Sequence, residues 1–188
     1  ITDGTLIFEG GDIRGIPQHA LQEKVAYVPQ KAWLFSGTIE SNLRYGNENA
    51  TQEDMERALK IAQADFVSRL PDGILSRVAQ GGSNFSGGQK QRLSIARALV
   101  KKADLYIFDD SFSALDFKTD AALRHALARE IKDSAVLIIA QRVNTILNAD
   151  NIIVLEEGRI VGMGRHDFLM KTCPVYADIA KSQMKGGA

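Results

Sequence analysis

At 188 residues, 45% of them hydrophobic and 24% charged, the chain is long enough for one sizeable globular domain. Its formal net charge is zero, which argues against a dedicated nucleic-acid binder with a basic surplus. The single cysteine, Cys173, excludes an intrachain disulfide framework, and no apolar run approaches the roughly 18–20 residues a membrane-crossing helix needs.

Taken in order, TLIFEG (5–10) and KVAYVP (24–29) read as strands, with GG and DIRG as turn signals between them. TQEDMERALKIAQADFVSRL (51–70) reads as a helix: Thr51 and Asp54 fit a cap, and Met55, Leu59, Ala62 and Phe66 recur at helical spacing. After PDG (71–73), a second helix covers 87–102, with Leu93, Ala96 and Val100 on one apolar face. LYIFD (105–109) and AVLIIA (135–140) read as strands buried on both faces, separated by a helix over 116–132. A short helix at 144–149, a hairpin over 151–164 turning at Glu157-Gly158 and two short helices complete the pattern. KGGA at the end reads as frayed, and Cys173 as an ordinary buried or half-buried thiol. Buried strands alternating with helices predict an α/β fold around a parallel sheet.

Two segments carry candidate chemistry. LYIFDD ends an apolar strand on two aspartates, Asp109 and Asp110, an arrangement suited to a metal–phosphate site. In NFSGGQKQR, Ser86 and Gln89 form a Ser-x-x-Gln capping box at a helix start, whose free N–H groups favour anions. Gly87 and Gly88 let the backbone approach a phosphate closely; the residues alone equally allow a glycine-rich turn capping a structural helix. His19, His125 and His166 lie outside any metal-spaced cluster and read as surface or structural.

FSGGQKQRLSIARAL resembles the signature motif of ATP-binding cassette (ABC) proteins, with Phe85 in place of the usual leucine. VPQ (28–30) resembles the Q-loop, LYIFDD Walker B and SALD (113–116) the D-loop, while IAQRV (139–143) sits where the switch-histidine loop belongs. The ordered set spans the chain and implies a P-loop NTPase-like (RecA-like) parallel-sheet core. Residues 1–35 and 101–188 would form that core, with incomplete N-terminal strands and a helical subdomain inserted at about 36–100. Two such domains would dimerise head to tail around two ATP molecules. By the resemblance, Ser86, Gly87, Gly88 and Gln89 contact the γ-phosphate of ATP held by the partner domain. Asp109 holds Mg²⁺ through water, Gln30 reaches the Mg²⁺ or the attacking water, and Asp116 lies at the dimer interface.

Three departures from the family pattern stand out. Asp110 occupies the position of the catalytic glutamate; it keeps the charge but is one methylene shorter, and a displacement of about 1 Å can cost on the order of 10²-fold in rate. Gln141 occupies the position of the switch histidine and cannot become cationic near neutral pH. Both changes weaken hydrolysis and are compatible with nucleotide binding, the pattern of the degenerate site of a heterodimeric exporter; drift in an active homodimer is the alternative. Finally, no GxxxxGK followed by Ser or Thr occurs. The chain begins at Ile1 in a strand-like pattern, so the phosphate loop and the aromatic residue that stacks on adenine are expected upstream, and the fragment alone is expected to bind ATP poorly.

AYVPQKAWLFSGTIESNLRYG (26–46) and GRIVGMGRHDFLM (158–170) resemble exporters of bacterial style. By similarity, Lys31 to Phe35 would face a coupling helix of a transmembrane domain, although Trp33 and Phe35 could instead fill the interface between insert and sheet. The leading expectation is an ATPase domain, with ATP and Mg²⁺, at the cytoplasmic face of the cell membrane. Its partners would be a second nucleotide-binding domain and a transmembrane domain, with no nucleic acid. A non-hydrolysing module lending its signature to a partner, and a soluble ABC ATPase without a membrane domain, are the alternatives.

Overall fold

The computed structural model describes residues 3–185, so the expectations for Ile1 and for most of the terminal KGGA fall outside it. The chain divides into two compact units, Ile1–Ile139 and Ala140–Ala188.

The first unit opens with a small antiparallel pair, β1 (Ile7–Phe8) and β2 (Gly11–Asp12). The predicted strand over 5–10 is thus cut short: Glu9 and Gly10 both take positive φ and turn the chain back. An unpredicted helix, α1 (Gln18–Lys24), follows Pro17 and leads into β3 (Val25–Val28). β4 (Gly37–Thr38) pairs with β5 (Arg77–Val78), and between them lie α2 (Ile39–Arg44) and α3 (Gln52–Ile61). The Thr51–Asp54 capping box forms as read, but the helix stops at Ile61 and continues only as a 3₁₀ turn over Asp65–Arg69. Gln63 breaks it, adopting φ 56° while its side chain donates to the carbonyls of Lys60 and Ile61.

α4 (Gly87–Val100) is buried well beyond the predicted stripe: Gln91, Ser94, Ile95, Ala98 and Leu99 are buried as well as Leu93, Ala96 and Val100. It leads to β6 (Leu105–Asp109), α5 (Phe117–Glu130) and β7 (Ala135–Ile139). The sheet order is β3-β6-β7, all parallel, with Tyr27 opposite Ile107 and Ile107 opposite Leu137. Alternate residues of β6 point to opposite faces. On one face Tyr106 and Phe108 are buried with Phe112, Leu123 and the apolar side of α4. The other face is open, contrary to the expectation of strands covered on both sides: Tyr27 is 55% exposed, Leu137 47% and Ile139 49%. Among the described residues β7 pairs only with β6, so it is an edge strand, and its Leu137 and Ile139 side chains are about half exposed.

The second unit holds α6 (Val143–Ile146), the hairpin β8 (Ile152–Glu156) and β9 (Arg159–Gly164), α7 (His166–Thr172) and α8 (Pro174–Lys185). The hairpin turns at Glu157-Gly158 as read, both at positive φ. Its core joins Ile152, Val154, Leu169, Cys173 and Tyr176. Cys173 is buried, and Gly162 lies so close that a Cβ there would meet its Sγ at 2.8 Å. His166 is structural, its Nδ1 lying 2.8 Å from the Tyr176 hydroxyl, while His19 and His125 are exposed.

Candidate nucleotide site

The parallel register brings the ends of β3 and β6 together, and the carboxyl end of such a sheet is where α/β folds place ligands. Asp109 is the last residue of β6, half-buried, on the open face. Its Oδ2 accepts from the Tyr27 hydroxyl at 2.8 Å, and that bond to a carboxylate raises the phenol above its ordinary pKa. Asp110 follows with φ 43°, a left-handed conformation that aspartate tolerates better than most residues. Its N–H donates to Ile139 O at 2.8 Å, which fixes the turn against the end of β7. Its Oδ2 accepts from Gln30 Nε2 at 3.2 Å. The fully buried Ser111 secures this approach: its hydroxyl donates to Val28 O at 2.9 Å, tying the start of the Gln30 segment to the residues after β6.

The signature turn is built as the capping box requires. Ser86 Oγ accepts from the Gln89 N–H at 3.3 Å, and Gln89 Oε1 accepts from the Ser86 N–H at 2.9 Å. Ser86 and Gly87 are exposed, leaving the first N–H groups of α4 accessible to an anion. Gly88 lies against the 113–116 loop, where a Cβ would come within 3.4 Å of Ala114 O. In that loop Asp116 caps α5. The Asp116 carboxylate accepts from the Thr119 N–H at 2.9 Å and from its hydroxyl at 2.7 Å, which holds Asp116 below the usual carboxylate range. Ser113 Oγ donates to Asp110 O at 2.8 Å.

Gln30, Asp109 and Asp110 therefore converge, while Ser86, Gly87, Gly88 and Gln89 form a separate exposed helix start. Gln141 belongs to the second unit, where its carbonyl accepts from Gln183 Nε2 at 2.7 Å. Sequence reasoning passed over Tyr27, Ser111 and Gln91. Strand alternation was the available signal for Tyr27, which shares the Asp109 face. Gln91, buried in α4, donates to Pro29 O at 3.4 Å.

The donors present suit Mg²⁺. They are hard oxygens, one or two carboxylates rather than a cage, and Mg²⁺ is ordinarily held by such a pair together with substrate phosphates. No group of three or more His, Cys, Asp or Glu side chains able to hold a metal occurs among the described residues.

Beside this site, Trp33 (50% exposed) and Phe35 (44%) face outward, with the Phe35 ring 4.5 Å from that of Tyr45; the residue that fills the core there is Leu34, fully buried. Arg97 of α4 donates to Trp33 O at 3.0 Å and lies 5.7 Å from the Phe35 ring, and burial pulls its pKa down. Trp33 also packs on Gly81 of the loop before the signature, where a Cβ would meet its ring at 3.2 Å.

A parallel sheet ending in paired carboxylates, with a polar side chain from the neighbouring strand and a serine-capped, glycine-rich helix start, is an α/β arrangement of the P-loop NTPase fold class. The model of the ABC transporter family matches residues 1–113, and the chain belongs to that family. It is 44% identical over 97% of its length to an uncharacterised ABC transporter ATP-binding protein of Mycobacterium bovis, covering 32% of that protein. It is 39% identical over 96% of its length to the ATP-dependent lipid A-core flippase of Chromobacterium violaceum, covering 31% of it. Among solved structures, a bacterial Atm1-family ABC exporter with ATP bound superposes with a TM-score of 0.93 at 36% identity, over 96% of this chain and 32% of that one. The chain thus spans about a third of the length of these relatives. No described helix is long and apolar enough to cross a membrane.

Proposed function

We propose that the chain is the ATP-binding part of an ABC exporter whose own catalytic site is weakened, acting at the cytoplasmic face of a bacterial membrane. The observation that carries this reading is the convergence of Gln30 on Asp110, 3.2 Å apart, beside Asp109. That contact supports a reading in which Gln30, Asp109 and Asp110 belong to an ATPase site, where the carboxylate that would orient the attacking water is the shorter aspartate. Gln141, at the switch position, has no charge to offer the γ-phosphate. Asp109 and Gln30 would hold Mg²⁺, which supplies charge neutralisation at the β- and γ-phosphates. Ser86, Gly87, Gly88 and Gln89 would close on ATP bound by a partner domain, and Asp116 would lie at that interface. A phosphate-loop strand of a longer chain would pair at an edge of β3-β6-β7 and its helix would pack on the open face, with about 36–100 forming the helical subdomain. Trp33 and Phe35 would receive a coupling helix of the membrane domain.

The heterodimer is favoured by the pairing of the two changes: a site lacking both functions is tolerable when a partner's competent site is completed by the intact signature here. Phosphate release by the exporter carrying this chain tests the reading. Little turnover alone, normal turnover with the partner subunit, and faster turnover after Asp110→Glu plus Gln141→His are expected. Brisk hydrolysis by the wild-type protein alone would sink the degenerate-site reading and leave an ordinary homodimer.

A further inference from the structure

We infer that Tyr27 is a positioning residue for the metal-binding carboxylate of Asp109, fixing one of its oxygens so that the other is presented to Mg²⁺; this rests on the assignment of Asp109 as the Mg²⁺ carboxylate. The register explains how the two meet. Tyr27 lies opposite Ile107 on the adjacent parallel strand, and Asp109 is two residues further along on the same face. That diagonal is too long for a small side chain and within reach of an aromatic one. The hydroxyl closes it at 2.8 Å, on Oδ2. Tyr27 is 55% exposed, so it contributes little to the core, and its neighbours Ala26 and Val28 are the strand's buried residues. A phenol there spends its polar end on the carboxylate.

An ionised carboxylate is acceptor-only, with room for about four hydrogen bonds. The tyrosine occupies one site on Oδ2 and stops rotation about the Cβ–Cγ bond. Ser111 and the Asp110 N–H hold the backbone of the same turn, through Val28 O and Ile139 O. The main chain is therefore fixed independently of Tyr27, and the tyrosine governs the last torsion alone. Outer hydrogen bonds of this kind to metal-binding groups usually change metal affinity rather than the fold.

The test is an Mg²⁺ titration of fluorescent-ATP-analogue binding to the exporter carrying this chain. Mn²⁺ electron paramagnetic resonance of the nucleotide complex is the second readout. Wild type is compared with Tyr27→Phe, Asp109→Asn and the double variant. Tyr27→Phe should raise the half-saturating Mg²⁺ concentration about tenfold, the low end of what one hydrogen bond to a charged group is worth, and broaden the Mn²⁺ signal. Metal-free nucleotide affinity and turnover at saturating Mg²⁺ should stay within about twofold, a split that a general loss of structure would not produce. In the Asp109→Asn background the same change should add nothing. An unaltered Mg²⁺ requirement in Tyr27→Phe, with Asp109→Asn weakening it strongly, overturns the inference and leaves the metal role of Asp109 standing. An equal effect of Tyr27→Phe in both backgrounds also overturns it. If Asp109→Asn itself leaves the Mg²⁺ requirement unchanged, the metal assignment falls and takes the role of Tyr27 with it.

Discussion

Asp110→Glu sets chemistry against backbone conformation at one residue. Asp110 now reaches Gln30 Nε2 at 3.2 Å from a backbone held at φ 43° by its N–H bond to Ile139 O and by the Ser113 hydroxyl on its carbonyl. Glutamate adds one C–C bond, about 1.5 Å of reach. Since about 1 Å of misplacement costs on the order of 10²-fold, the variant should raise turnover roughly ten- to hundredfold in the exporter carrying this chain. The conformation opposes it. Aspartate is enriched several-fold among non-glycine residues at positive φ, and losing that preference costs roughly 0.5–1 kcal/mol. The variant should thus be faster and slightly less stable, seen as increased phosphate release at saturating MgATP and a small drop in the denaturant midpoint. Asp110→Asn, which keeps the size and removes the charge, should abolish what turnover there is. Turnover within about twofold of wild type for both variants would refute the idea that this carboxylate limits the reaction.

Phe108, fully buried between Tyr106 and Phe112 with ring centroids 6.3 and 5.3 Å away, should cost about 3–5 kcal/mol as Phe108→Ala in denaturant unfolding; a loss under about 1 kcal/mol would show that the sheet face is not the core. Ser86→Ala removes the acceptor for the Gln89 N–H and should destabilise by about 1 kcal/mol as well as weakening nucleotide-driven dimerisation, measured by denaturation and by sedimentation with MgATP; dimerisation untouched would separate the cap from the signature role. Asp54, 2.6 Å from the Lys102 ammonium, is held down from 3.8 to about 2 chiefly by that bond. Its folded pKa is below the unfolded one, so its contribution is complete above about pH 4 and is lost as pH falls towards 2. Lys102→Met should flatten the acid limb of a stability–pH curve in that window, and an unchanged limb would count against the pair.

Where local chemistry decides, the sequence was readable. β6 has the predicted bounds, Thr51–Asp54 and Ser86–Gln89 close as capping boxes, and the hairpin turns at Glu157-Gly158, since each depends on residues a few positions apart. Long-range contacts were not readable. The end of α3 carries no glycine or proline; Gln63 stops it with its own amide, and its carbonyl accepts from Arg92 of α4 at 2.8 Å, a tie between residues 29 positions apart. The apolar run of β7 was read as covered on both faces and is instead exposed, because an apolar composition records what a strand is suited to pack against and not whether that layer is present in the same stretch of chain. The candidate site divides in the same way: the identities of Gln30, Asp109 and Asp110 were visible in order along the chain, but the bonds that bring them together pass through Tyr27 and Ser111, which belong to no motif.

The same division explains what α4 does. Its start carries the exposed signature turn, Gln91 one turn on holds Pro29 O, and Arg97 holds Trp33 O. Fourteen helical residues span about 20 Å, so this one rod joins the exposed Ser86–Gln89 turn to the main chain on both sides of Gln30 and to the outward aromatic pair Trp33 and Phe35. Because both side-chain ties end on backbone carbonyls, they fix the path of residues 29–33 whatever side chains those residues carry. The main chain on both sides of Gln30 is in this way held by the helix that carries Ser86–Gln89 at its start.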